Sequence, residues 1–483
     1  MRVVRWHWPL VCLGLFAFGW VVARACLQSV IIDEADSYGF ASASWDLVRY
    51  PSSGNHVLNT MLVWLFTRKL GLNELTLRLP AILGAAIYIS AAGWLCATLG
   101  RRKILHLPLF ICLAYNPMVL DYLVAARGYS LAVGFLLAAV AVLTSTLMSE
   151  AKPVLACAIG SVFLGLSFCA NFSFAIADAV TMLLFFAIVR PGVSARLGAA
   201  YPCFLPGILV TLLVCGSTLV RWPREQLYFG ETSLVATWNG LIAASFHELN
   251  PGLFGESIPY RLRYVGQVLT YAAVILTVAM LSRALKRKSG SPFLTVSLWW
   301  ASVIVTTAAL HWLAFVSFGL LMPKDRTALF FVPLGALAMG SVLAHSYGAE
   351  KRDPVRALGI GVLLIAAVYF GGCLRLGYFK EWRYNADTKQ LYWVLTDLYR
   401  RCGARTFSVE WRYVAALNFY RAAYGDHSLP HFVSASQPPP ADREAYVLYR
   451  WDSLDFVKQQ SLRLVYLNEE TNAAVGIRGC VAR

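Results

Sequence analysis

Three carboxylates, Asp33, Glu34 and Asp36, crowd the segment SVIIDEADSYGF, directly after a run apolar enough to cross a membrane. A carboxylate ionised near neutral pH can take a proton from a hydroxyl or an amine. Neighbouring acids are also compatible with a divalent cation, although no spacing here demands one. Further polar residues fall in three short stretches. Asn55, His56 and Asn59 lie in SSGNHVLNT; Asp121, Arg127 and Tyr129 in LDYLVAARGYSL; Lys324, Asp325 and Arg326 in LLMPKDRTALFF. Guanidinium groups suit bidentate binding of phosphate, and lysine supplies a point charge. Each feature also has a structural account. Asp33 could N-cap a helix on the membrane surface, with Glu34 and Asp36 favourable in its first turn. Arg127 could snorkel to lipid headgroups. Lys324 and Arg326 could form a polar turn with Asp325, and His56 could simply hydrogen-bond within the fold. The chain contains no Walker loop, no G-x-G-x-x-G, no H-E-x-x-H and no C-x-x-C, so nucleotide, dinucleotide and ordinary zinc chemistry have no sequence handle.

The elements that must position these residues are membrane helices. Of 483 residues, 58% are hydrophobic and 14% charged, and mean hydropathy is +0.59, more apolar than a soluble domain, whose apolar share is about 45–50%. Runs of roughly 20 apolar residues, enough to span a bilayer, recur near residues 9–29, 79–99, 104–124, 128–148, 153–170, 172–189, 199–220, 264–282, 294–316, 327–345 and 357–376. The prediction is an α-helical polytopic membrane protein with about eleven transmembrane helices. The first run also resembles a secretory signal ending at Ala23 and Ala25, but Arg24 interrupts the cleavage motif and the run is long, so it reads as an uncleaved span. The net charge of +16 is explained by topology rather than by nucleic acid. Arg101–Lys103, Arg190–Arg196, Arg283–Lys288 and Lys351–Arg356 all fall on the cytoplasmic side if Met1–Arg5 does. The 30–78 loop, the 121–129 turn and the 323–328 loop then share the outer face.

An odd span count sends residues 377–483 outside, where alternating patterns predict a small α/β domain. TKQLYWVLTDLYRRCG and RYVAALNFYRAAYG read as helices; ARTFSVEW, AYVLYR and LRLVYLN read as strands. Cys402 and Cys480 in this domain could pair or remain free thiols; the other nine cysteines sit in or beside spans. Residues 1–376 form the membrane domain.

In the order of its elements the chain resembles the GT-C class of membrane glycosyltransferases. It is most similar to the bacterial branch of protein O-mannosyltransferase and lipid A aminoarabinose transferase relatives. The resemblance rests on Asp33–Glu34 after the first span, NHVLN (Asn55–Asn59) in place of an HPPL-like element, and LRLP (Leu77–Pro80). AARGYSL (Ala125–Leu131) and PKDRTALFFVP (Pro323–Pro333) complete it. Val57 and Leu58 replace the usual prolines, and Ala125 replaces an acid, with Asp121 one helical turn earlier.

The resemblance implies an inverting transferase in the bacterial cytoplasmic (inner) membrane. It would move a sugar from a polyprenyl-phosphate donor to a glycan, lipid or protein acceptor at an extracytoplasmic site, with no cofactor required. Asp33 and Glu34 become the catalytic acids, with Glu34 orienting Asp33 or binding acceptor. Arg127, Lys324 and Arg326 become ligands of the donor phosphate. Asp36, His56, Asn59, Asp121 and Tyr129 become acceptor or sugar contacts. Two rival classes use other residues. A secondary transporter or lipid flippase would use the intramembrane Asp178, with His311, and a receptor or scaffold would present residues 377–483.

Overall fold

The computed structural model describes residues 8–42, 44–99, 103–149, 153–189, 201–223, 229–255, 257–262, 264–286, 291–346, 353–436 and 439–479. Among them, ten helices are long and apolar enough to cross a membrane, beginning with Trp8–Leu27 and ending with Pro354–Gly372. A further pair, Leu105–Ala114 and Pro117–Val124, is bent by 53° and brings the number to eleven if counted as one span. The chain is a multi-pass membrane protein. The bend falls where the sequence reads Asn116–Pro117. Pro117 has no N–H to give to a continuing helix, and Asn116 restarts one by accepting the backbone N–H of Met118 (3.0 Å) and Val119 (3.3 Å) on its side chain. Of the basic loops that argue the topology, Arg101, Arg102, Arg190–Arg196, Arg287, Lys288, Lys351 and Arg352 lie outside the described residues, as does Met1–Arg5.

The chain divides into two compact units. One comprises Met1–Val22, Arg49–Asn59 and Pro80–Arg375; the other comprises Ala23–Val48, Thr60–Leu79 and Leu376–Arg483. In the first unit, helices pack backbone to backbone through small residues, as membrane helices do when no hydrophobic driving force separates them from lipid. A Cβ added to Gly84 would lie 2.4 Å from the carbonyl carbon of Ser130, and one added to Gly134 would lie 2.6 Å from the Gly84 oxygen. Helix Glu74–Leu99 thereby fixes helix Tyr129–Leu147, whose first residues matter below. Trp299 and Trp300 of helix Pro292–Phe318 are fully buried. From the same helix, the Ser297 hydroxyl reaches that of Ser341 at 2.8 Å.

In the second unit a four-stranded sheet has the order β1-β2-β4-β3. Strand β1 (Phe407–Val409) runs parallel to β2 (Ala445–Tyr449), with helix Trp411–Ala423 between them in sequence, the crossover a parallel pair requires. Strand β4 (Ala473–Ile477) lies antiparallel to β2 and to β3 (Arg463–Asn468), with a bulge between Leu464 and Tyr466. Tyr446, Leu448, Leu462 and Ala474 form a core on this sheet, covered by Phe456 and Val457 of helix Arg450–Gln459. The three expected strands and two expected helices are present. Strand β4 and helix Arg450–Gln459 are additional. Cys402 is disulfide-bonded, and Cys480 lies outside the described residues.

Candidate active site

The acid cluster belongs to the second unit. Asp33 and Glu34 are the second and third residues of helix Ile32–Ser42, and three successive environments result. Asp33 is half-buried, Glu34 is fully buried and Asp36 is exposed. Glu34 is clamped by Arg78, which lies in the first turns of helix Glu74–Leu99. The Arg78 Nε donates to Glu34 Oε1 at 2.8 Å, and Nη2 donates to Oε2 at 2.6 Å, both side chains being fully buried. The remaining Arg78 donors go to the carbonyls of Ala25, Gln28 and Ser29, at 3.0, 2.7 and 2.8 Å. A cation thus sits on the carbonyls that end the first membrane helix while it pairs with an anion in the first turn of the next one, favourable for both helix dipoles. Glu34 Oε2 also accepts the Ile31 N–H at 3.2 Å, half of a capping box. With both oxygens engaged, Glu34 shapes the turn that carries Asp33, and no sequence spacing announces its partner 44 residues away.

The cations belong to the first unit. Arg127 and Gly128 form the turn before helix Tyr129–Leu147, and Gly128 has φ +75°. A Cβ there would meet the Ala170 oxygen at 2.2 Å and His56 Cβ at 2.9 Å, so two loops and this turn close on one point. Arg127 Nη1 donates to the Gly54 carbonyl at 3.1 Å, and Asn59 Nδ2 donates to the Ala126 carbonyl at 3.2 Å. The ring of His56 stands edge-on to Tyr129, centroids 5.5 Å apart, and Tyr129 packs on Tyr122 at 5.1 Å. His56 is buried, with no hydrogen-bond partner at Nδ1 or Nε2 among the described residues; Asn59 Oδ1 likewise has none. Burial, and then the positive charges of Arg127 and Arg326, hold His56 well below the ordinary histidine value of 6.5. It is therefore neutral at pH 7, with one ring nitrogen a donor and the other an acceptor.

Arg326 stands over the Phe229 ring, its guanidinium carbon 4.6 Å from the centroid. It is the second residue of the short 3-10 turn Asp325–Ala328, where Asp325 takes φ +42°. Five residues expected at the site, His56, Asn59, Arg127, Tyr129 and Arg326, are thus neighbours in one unit, drawn from three distant sequence stretches. Two others there are already ion-paired. Lys324 Nζ lies 3.0 Å from Glu231 Oε1, and the two segments are bridged by their backbones at Glu231 and Met322. Asp121 is buried and accepts from Arg375 Nη2 at 3.2 Å. Arg375 follows the last span and carries no motif that singles it out. Asp178 is buried beside Ser167 and Cys169, and His311 stacks on Phe330 at 6.1 Å. Among the described residues, no three His, Cys, Asp or Glu side chains converge as a metal ion would require.

No family model and no curated protein sequence matches the chain. Among solved structures it is similar to ArnT from Cupriavidus metallidurans bound to undecaprenyl phosphate, with a TM-score of 0.38 and 13% identity over 97% of each chain. It is also similar to an oligosaccharyltransferase of Archaeoglobus fulgidus tethered by a disulfide bond to an acceptor peptide with the NVT sequon. That likeness has a TM-score of 0.41 and 15% identity, and covers 84% of this chain and 59% of that one. The chain thus spans less than two thirds of the oligosaccharyltransferase's length.

Proposed function

We propose that the protein is an inverting glycosyltransferase of the bacterial cytoplasmic membrane. It moves a sugar from a polyprenyl-phosphate donor to a glycan, lipid or protein acceptor on the outer face. The observation that carries this reading is the buried, neutral His56, without a hydrogen-bond partner among the described residues, beside Arg127 and Arg326. Two fixed cations and a neutral N–H donor suit a phosphate monoester attached to a lipid tail, because they stabilise the charge that develops as phosphate leaves. The leaving group departs as an anion, so no general acid is needed. Asp33 takes the proton of the acceptor hydroxyl or amine as its oxygen or nitrogen attacks C1 from the side opposite the phosphate. One displacement inverts the anomeric centre. Glu34 and Asp121 serve as structural ion-pair partners of Arg78 and Arg375, and Tyr129 and Asn59 hold the His56 loop. A divalent cation, if the reaction uses one, would find its oxygen ligands at Asp33 and Asp36.

The test compares lipid extracts, by mass spectrometry, from cells with wild-type protein, no protein, or Asp33→Asn at matched membrane abundance. One polyprenyl-phosphate sugar should accumulate in the last two. Binding of undecaprenyl phosphate to the purified chain should weaken at least tenfold in Arg127→Gln or Arg326→Gln, while undecaprenol distinguishes neither variant from wild type. Wild-type behaviour of Asp33→Asn, beside an altered lipid pool in the deletion, would refute the role of Asp33 and move attention to transport through Asp178.

A further inference from the structure

Beside the Arg78–Glu34 clamp, the turn that opens the Asp33 helix is held by two side chains and one carbonyl from the C-terminal part of the chain. A helix leaves its first N–H groups without internal partners. Here the N–H of Ile32, its first residue, donates to Asn385 Oδ1 at 3.0 Å. The N–H of Val30 donates to the Tyr420 hydroxyl at 2.8 Å, and the hydroxyl of Ser29 donates to the Ala386 carbonyl at 2.8 Å. Asn385 is itself fixed, since its Nδ2 donates to Thr388 Oγ1 (3.1 Å) and to the Arg412 carbonyl (3.0 Å). Asn385 and Tyr420 are both fully buried. Further along the helix, Tyr38 meets Phe419 edge to face at 5.5 Å.

We propose that Asn385 and Tyr420 are positioning residues for Asp33, and that the C-terminal α/β region contributes to turnover by setting the backbone of the turn that carries the base. This inference rests on the reading of Asp33 as the proton acceptor. Both side chains act on the backbone next to Asp33. They fix residues 30 and 32, on either side of the Glu34-capped Ile31, and so determine where the second residue of the helix points. A base displaced by about 1 Å from its working position costs on the order of a hundredfold in rate. The region is therefore a part of the catalytic machinery's frame rather than a cover or a recognition module.

The test uses the purified full-length chain added to membranes of cells lacking it, which supply both donor and acceptor, and follows loss of the accumulated polyprenyl-phosphate sugar by mass spectrometry. Tyr420→Phe and Asn385→Ala should each lower the maximal rate about tenfold, with half-saturation by added donor lipid and affinity for undecaprenyl phosphate unchanged. Asn385→Asp keeps an acceptor oxygen for Ile32 but turns a carboxylate oxygen toward the Arg412 carbonyl that the amide donated to, and should not recover the rate. Asn418→Ala removes two hydrogen bonds to Phe432 inside the same region but none to residues 29–34, and should leave the rate intact. If Tyr420→Phe and Asn385→Ala turn over like wild type while Asp33→Asn is inactive, the positioning role falls and the transferase reading stands. If Asp33→Asn is fully active, both fall. Hydrogen exchange decides the case of a variant that folds poorly. Faster exchange confined to the Val30–Glu34 amides supports the proposal, and unchanged exchange there overturns it.

Discussion

The Arg78–Glu34 pair makes the most exposed claim about how this chain is built. All five guanidinium N–H groups are used, two on Glu34 and three on the carbonyls of Ala25, Gln28 and Ser29. Both side chains are withdrawn from solvent. Replacing Glu34 by leucine leaves a buried guanidinium without its anion, which costs about 3–5 kcal/mol. Replacing Arg78 by methionine strands the carboxylate and three carbonyls together, so it should cost at least as much. Lysine at 78 has three donors for five acceptors and should not rescue. For a unit of this size, 3–5 kcal/mol corresponds to roughly 6–20 °C in midpoint at about 2–4 °C per kcal/mol.

The assay is thermal unfolding of the purified chain in detergent, read by intrinsic fluorescence, for Glu34→Leu, Arg78→Met and the double variant. The double variant removes both buried charges at once, so it should be less destabilised than the two single losses together by about 1–3 kcal/mol. Additive losses, or a Glu34→Leu shift under about 2 °C, would mean that the pair holds nothing. The same series separates the two neighbouring acids. At matched amounts of folded protein, Glu34→Leu should retain more turnover than Asp33→Asn.

Two further outcomes follow from single positions. Gly128→Ala forces a left-handed backbone on a residue with a Cβ, costing roughly 1–2 kcal/mol, and drives that Cβ to 2.2 Å from the Ala170 oxygen. Membrane abundance and affinity for undecaprenyl phosphate should both drop, and an unaffected variant would show that the turn is not where the structure puts it. Asp387, which accepts from Tyr466 and Thr471 at 2.8 Å each, is held above the usual 3.8, chiefly by burial. The folded state then binds the proton more tightly than the unfolded state, so stability falls as pH rises from 3.8 through the folded-state value. Asp387→Asn should therefore gain midpoint relative to wild type at pH 7, and that gain should shrink toward pH 4; a gap independent of pH would refute the assignment.

The membrane spans are legible because the requirement is local. A helix that crosses a bilayer must satisfy its own backbone and face lipid along some 20 residues, and composition alone reveals that. The bend at Asn116–Pro117 is local too, yet it vanishes inside a run apolar enough to read as one span from 104 to 124. Strands β1, β2 and β3 carry Phe, Val, Tyr and Leu, residues that favour a pleated surface. Strand β4, AAVGI, is mostly small residues and gains its place from pairing with β2 and β3, which no window of sequence contains.

The site shows the same division more sharply. Residue type identifies Asp33 and Glu34 as equals, adjacent and both able to accept a proton. Their difference arises because successive helical residues point about 100° apart. At this register one turns toward Arg78, whose position depends on a helix that begins 40 residues later. Glu34 is consumed by that pairing for the same reason that Asp121 is consumed by Arg375. A buried charge in a membrane protein must find a counter-charge, and the partner is set by tertiary packing rather than by spacing. His56 has no hydrogen-bond partner at either ring nitrogen among the described residues. A neutral ring costs far less to bury than an ion, and burial, followed by the charges of Arg127 and Arg326, disfavours the protonated form. In the proposed reaction His56 would therefore offer its ring N–H to the donor phosphate, while Glu34 and Asp121 stay engaged with their arginines.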